Sequence, residues 1–167
     1  MNTLTLLACL TLTAWLGSGN PAPKLRGKTA WMAAISLAGV MVLSITGAIA
    51  ALGDTLYPAP TLAAGLAQDF DAGSNWLLRL RSLHPLLAAA VAIWLSFYAI
   101  ARLRTAKVTA LRVTILVWLQ ILAGVVNFLL QAPVWMQIVH LFVADVLWIS
   151  LVMLCATEPL GARTARP

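Results

Sequence analysis

The sequence predicts an all-α integral membrane protein of five transmembrane helices, the last four forming an up-down four-helix bundle, and three observations predict it. Hydrophobic residues make up 62% of the chain and charged residues 10%, with a mean hydropathy of +0.93. A soluble domain of 167 residues has difficulty hiding such a balance from water. The apolar residues gather into five stretches, at roughly 2–18, 29–53, 83–103, 109–130 and 135–156, each close to the roughly 20 residues that cross a bilayer as a helix. The eleven basic residues fall in connectors and ends, where they read as topology signals and not as the single basic stripe that binds nucleic acid.

Residues 1–19 form the first, lone span. The stretch has no basic n-region, and Gly17-Ser18-Gly19-Asn20 leads into Pro-rich sequence, not an Ala-x-Ala cleavage site, so it reads as a helix and not a signal peptide. Residues 20–28 form a basic connector with Lys24, Arg26 and Lys28, and residues 29–156 the four-helix bundle. Arg102, Arg104, Lys107 and Arg112 mark a second basic connector, and Arg163 and Arg166 a tail at 157–167. The excess of Lys and Arg assigns these segments to the cytoplasmic side of a plasma membrane. The loop from Asp54 to Ser82, with Asp69, Asp71, Arg79 and Arg81, and the uncharged Gln131-Ala132-Pro133 then face outward, as does the amino terminus. In lipid each span must satisfy its own backbone hydrogen bonds, which selects helices, and short connectors make antiparallel neighbours. Cys9 and Cys155 lie within apolar runs at opposite ends of the chain, so neither a disulfide framework nor a CxxC metal site is indicated.

The chemistry concentrates in the two histidines, His84 and His140. An ionisable side chain in a bilayer is expensive enough to mark a functional candidate, and neutral imidazole is the commonest ligand for a metal or haem iron. His84 enters the third span and His140 lies about one and a half turns into the fifth, which sets both at similar depth on the outer side. His84, Ala88, Ala92 and Ser96 share one stripe, and Ala144 follows His140 by four. Small residues below an imidazole leave room for a flat macrocycle. They also serve tight helix packing, the reading for Ala34 with Ala38 and for Ser44, Thr46, Gly47 and Ala48. Two alternatives stand beside ligation: His84, next to Pro85, as a water-facing residue at a helix start, and His140 as a hydrogen-bond partner of a neighbouring helix. Asp145 lies about 140° around the helix from His140 and is directed at a polar group on another helix. Gln120, Asn127 and Gln137 read as interhelical hydrogen bonds, with support of the histidines as the alternative. Arg79 and Arg81, five and three residues before His84, either meet haem propionates or snorkel to the interface.

Several runs carry a family resemblance. They are Thr46-Gly47-Ala48-Ile49 leading to Gly53-Asp54-Thr55-Leu56-Tyr57-Pro58; Leu80-Arg81-Ser82-Leu83-His84-Pro85; Gln120-Ile121-Leu122-Ala123-Gly124-Val125-Val126-Asn127; and Ala132-Pro133-Val134-Trp135-Met136-Gln137-Ile138-Val139-His140-Leu141, with Ala144-Asp145-Val146-Leu147-Trp148. In order and spacing, from the first helix to about residue 156, they resemble the carboxy-terminal half of CtaA-type haem A synthases. The resemblance implies one of two pseudo-symmetric four-helix bundles in an eight-helix protein that oxidises a methyl group of haem O to the formyl group of haem A for cytochrome oxidase assembly. It implies that the last four helices are the second bundle, in which His84 and His140 hold the iron of a haem b. The family's other bundle carries a Glu-x-x-His pattern; here Arg81 stands three residues before His84, and Glu158 is the sole glutamate. No catalytic residue is therefore assigned.

The first helix, from Asn2-Thr3 to Trp15, resembles the last helix of the family's first bundle, but the histidine upstream of it has no counterpart here. The expectation is a fragment or late-start reading frame, or a protein whose other half is a separate polypeptide. Expected partners are haem, membrane lipid, and the missing half or a second copy. Three functions stay open: the cofactor half of a haem A synthase, a non-catalytic haem-binding subunit for electron transfer or haem handling, and a helical structural subunit without cofactor.

Overall fold

The computed structural model describes residues 2–157, and every regular element in them is a helix. Glu158, Arg163 and Arg166, with the rest of the predicted tail, lie outside the described residues. The elements are α1 (Asn2–Gly17), α2 (Gly27–Leu56), α3 (Leu62–Phe70), α4 (Trp76–Arg81), α5 (Leu83–Arg102), α6 (Lys107–Leu129) and α7 (Val134–Ala156).

Four spans are long and apolar enough to cross a membrane: Gly27–Leu56, Trp76–Arg102, Lys107–Leu129 and Val134–Ala156. The predicted fifth, α1, has 16 residues, about 24 Å of helix against a hydrocarbon core of about 30 Å. Its hydroxyls turn inward on its own backbone: Thr11 donates to the Leu7 carbonyl at 2.6 Å and Thr13 to that of Cys9 at 2.8 Å, which lets them sit in an apolar helix. α1 packs on α7 and is anchored by the Trp148 indole N–H, which donates to the Leu4 carbonyl at 2.7 Å. Leu37, Val40 and Met41 of α2 complete that contact with Leu4, Trp148 and Val152.

Successive long helices pack in chain order, α2 on α5, α5 on α6 and α6 on α7, with α7 returning to α2. Side-chain pairs give their directions. Ser36 accepts from the Trp94 indole at 2.9 Å, Gly39 faces Val91, and Thr46 meets His84 at 3.0 Å. One partner rises in number as the other falls, so α2 and α5 are antiparallel. Tyr98 meets Cys155 at 3.6 Å and Arg102 donates to the Thr157 carbonyl. Both numbers rise together there, so α5 and α7 are parallel.

The segment read as an outward loop contains two short helices. Thr61 caps α3 by accepting from the Ala64 N–H at 3.2 Å, and Asn75 caps α4 by accepting from the Leu77 N–H at 3.0 Å, each serving a backbone donor that the first turn leaves unpaired. α4 and α5 break at Ser82 for a covalent reason. Pro85 has no N–H to return to the Arg81 carbonyl, so the helix restarts with proline in its first turn, where the missing donor matters least.

Packing is uneven along the long helices. Leu95, Tyr98, Ala99, Ala110, Val113, Val117, Leu151 and Leu154 form a buried core toward the basic connector, with Arg102 buried beside it. At the opposite end Leu78, Ala123 and Met136 are buried, while His84, Ala88, Ala92, Gln120, Asn127 and His140 are half-buried.

Candidate functional site

Both histidines lie in that looser end, and each rests against the preceding helix of its own helical hairpin. His84 is in the first turn of α5, directly after the break at Ser82. Its Nδ1 lies 3.0 Å from Thr46 Oγ1, and that hydroxyl is also 3.1 Å from the Leu43 carbonyl. A carbonyl only accepts and a hydroxyl has one hydrogen, so Thr46 accepts from Nδ1–H when its hydrogen goes to Leu43 and donates to a bare Nδ1 when its hydrogen turns to the ring. A methyl group placed on Gly47 stands 3.1 Å from His84 Cε1 and 3.6 Å from each ring nitrogen. Glycine is what allows the imidazole this close to α2.

His140 repeats the arrangement on α6 and α7. A methyl group placed on Gly124 stands 3.2 Å from its Cε1, and the Gln120 carboxamide nitrogen lies 3.1 Å from Nε2 and 3.3 Å from Nδ1. The Gln120 oxygen is buried without a hydrogen-bond partner, as are Ser96 Oγ and Asn127 Oδ1. Among the described residues no group of three or more His, Cys, Asp or Glu forms. A bare metal ion therefore has no protein cage there, whereas a macrocycle brings its own in-plane ligands and asks only for axial ones.

The turn before α7 positions His140. Gln131 and Ala132 both adopt left-handed backbone, with φ of 60° and 53°. The Ala132 N–H donates to the Asn127 carbonyl at 2.7 Å, and the Gln137 side chain donates to the Ala132 carbonyl at 2.6 Å. Gln137 thus closes its own turn, where an interhelical bond was expected.

Arg81 sits next to the site in a cluster of opposite charge. Its Nε donates to Asp69 at 2.9 Å, Nη1 to Asp54 at 2.8 Å and Nη2 to the Gly65 carbonyl at 3.3 Å. The guanidinium ties the end of α2 and the body of α3 to α4. Arg79 is exposed and donates to the Ala72 carbonyl, bracing the turn between α3 and α4. No hydrogen bond joins Asp145 to either histidine among the described residues, and Asp145 is half-buried on α7.

A family model described as a cytochrome oxidase assembly protein, COX15-CtaA, matches residues 1–152. The chain belongs to the COX15-CtaA family. Two curated relatives, each called protoheme IX farnesyltransferase, come from two strains of Thermus thermophilus. Each is 40% identical over 163 residues, which is 93% of this chain and 27% of the relative. The chain thus spans about a quarter of the length of those relatives. No solved structure matches it.

For a COX15-CtaA protein, a haem is the group to test against these residues, and they fit it. Two imidazoles stand at one end of the packed helices, and two glycines let the rings lie close to their supporting helices. Sequence reasoning selected the histidines but assigned Thr46 and Gly47 to helix packing, and it did not single out Gly124. The signal available for the glycines was their place on the helix preceding each histidine. That signal becomes specific only once the register between helices is known.

Proposed function

We propose that this chain is the haem-carrying part of a haem A synthase-like protein, acting in conversion of haem O to haem A for cytochrome oxidase assembly. His84 and His140 would hold the iron of a haem b in an up-down bundle of the four long spans, at the outer face of the plasma membrane, with the amino terminus outside. The observation that carries this reading is the repeated seat: each imidazole lies against a glycine of the long helix before its own, α2 for His84 and α6 for His140, 3.1 and 3.2 Å from where a methyl group would stand. The family and the haem in the relatives' name support the same direction.

When bound, a bis-histidine haem supplies one-electron transfer without an open position on the iron. The chain's own residues orient and enclose it. Thr46 and Gln120 hold the rings, and Ala88 and Ala92 leave space beside α5. Arg79, whose side chain is exposed, would be free to turn from the Ala72 carbonyl to a propionate, while Arg81, already matched by two carboxylates, keeps α2, α3 and α4 together beside the site.

The test is the absorption spectrum of the detergent-purified chain. A sharp reduced α-band typical of low-spin haem b is expected, and His140→Ala loses it; a His84→Ala/His140→Ala double variant that keeps the full spectrum overturns the assignment. A second reading, a non-catalytic electron-transfer or haem-handling subunit, is favoured by Arg81, a cation where a Glu-x-x-His pattern would place its carboxylate.

A further inference from the structure

We propose that Thr46 and Gln120 are positioning residues that decide which ring nitrogen each histidine offers, and that they do so in different ways. Thr46 sets His84 before any cofactor arrives, whereas Gln120 sets His140 by turning its carboxamide when iron binds. The inference rests on the haem reading above but concerns hydrogen positions that exist without haem.

The Thr46 argument follows from its two partners. On this proposal the Thr46 hydroxyl keeps its hydrogen on the Leu43 carbonyl, 3.1 Å away, and its oxygen accepts from His84 Nδ1 at 3.0 Å. The ring hydrogen is then on Nδ1 and the lone pair on Nε2. A methyl group placed on Gly47 would stand 3.1 Å from His84 Cε1, so the ring lies close against α2 with Nδ1 beside Thr46. His84 is a preset ligand.

Gln120 differs because its carboxamide nitrogen faces both ring nitrogens of His140 at nearly equal distance, 3.1 and 3.3 Å, and so selects neither tautomer. Its oxygen is buried and unpartnered. An iron held by Nε2 would leave the ring hydrogen on Nδ1, which would then point a donor at the Gln120 donor. A half-turn of the carboxamide removes that clash and brings the orphaned oxygen to the ring, where it accepts from Nδ1–H. The same movement leaves the imidazole more basic toward iron.

The chain has only two histidines, so isotope labelling of histidine nitrogen resolves both. In the full chain in detergent micelles without haem, nitrogen NMR is expected to show one histidine in the Nδ1–H form and the other as a mixture. Thr46→Val converts the first to a mixture and Thr46→Ser retains it. Titration with iron protoporphyrin IX follows. Gln120→Leu is expected to weaken haem retention about tenfold, while Gln120→Glu, an acceptor on both oxygens, retains haem and moves the midpoint potential negative. The Ser and Glu variants guard against simple misfolding. His84 found as a mixture or in the Nε2–H form in the unsubstituted chain overturns the Thr46 role; unchanged retention and potential in both Gln120 variants overturn the Gln120 role. Failure of the unsubstituted chain to take up haem overturns the functional reading and the Gln120 role together, and the tautomer measurement still decides Thr46.

Discussion

At Arg81 a single guanidinium answers two carboxylates that come from different elements, Asp54 near the end of α2 and Asp69 near the end of α3. Asp69 and Arg81 keep only 8% and 13% of their side-chain surface, so removing the cation strands a buried charge, which typically destabilises by about 3 kcal/mol or more. Arg81→Gln is expected to lower the thermal unfolding midpoint in detergent, and adding Asp54→Asn with Asp69→Asn is expected to recover most of the loss. A triple variant as unstable as the single one would show that the guanidinium acts through packing and not through charge. The sequence displayed all three residues and their signs, but it offered no distance between a residue at 54 and one at 81. Arg81 therefore read as a propionate partner or a snorkelling side chain.

The α6–α7 connector shows what a turn contributes to a site it does not touch. Two consecutive non-glycine residues in left-handed backbone hold α7 so that His140 meets Gly124 and Gln120. A side chain there carries a strain of about 1–2 kcal/mol per residue, and a β-branched one suffers most. Ala132→Val is expected to lower stability by about 1–2 kcal/mol and to weaken haem retention, measured by unfolding and by haem titration of the same preparation. Stability and retention equal to the unsubstituted chain would remove the turn from the account. Apolar length and Pro133 made α6, α7 and the break between them legible in sequence, because hydrocarbon thickness dictates the first and a missing N–H the second. The left-handed pair was not legible, since neither Gln131 nor Ala132 is a residue that seeks that conformation. Nor were α3 and α4, whose short apolar runs are interrupted by Asp, Gly and Asn.

Across the whole molecule the described residues hold one histidine pair, both members committed by the proposed haem, and no carboxylate three residues before either histidine. Expressed alone in a strain that makes haem O but lacks haem A synthase, the chain is expected to leave haem O unconverted. Pigment extraction checks this, and any haem A formed under those conditions would assign the oxidation to this bundle. The placing of the histidines at one level was legible because basic connectors orient successive spans. The uneven packing was not, because small and branched apolar residues occur along the whole length of each span. That unevenness has a kinetic consequence. Backbone amides around Tyr98, Val113 and Leu151 sit among fully buried neighbours and should exchange hydrogen slowly, only on global opening, while those near His84 and Gly124 exchange through small local fluctuations. The end around the histidines can then open locally while the tight end keeps the helices registered, so local opening there is set separately from the lifetime of the fold.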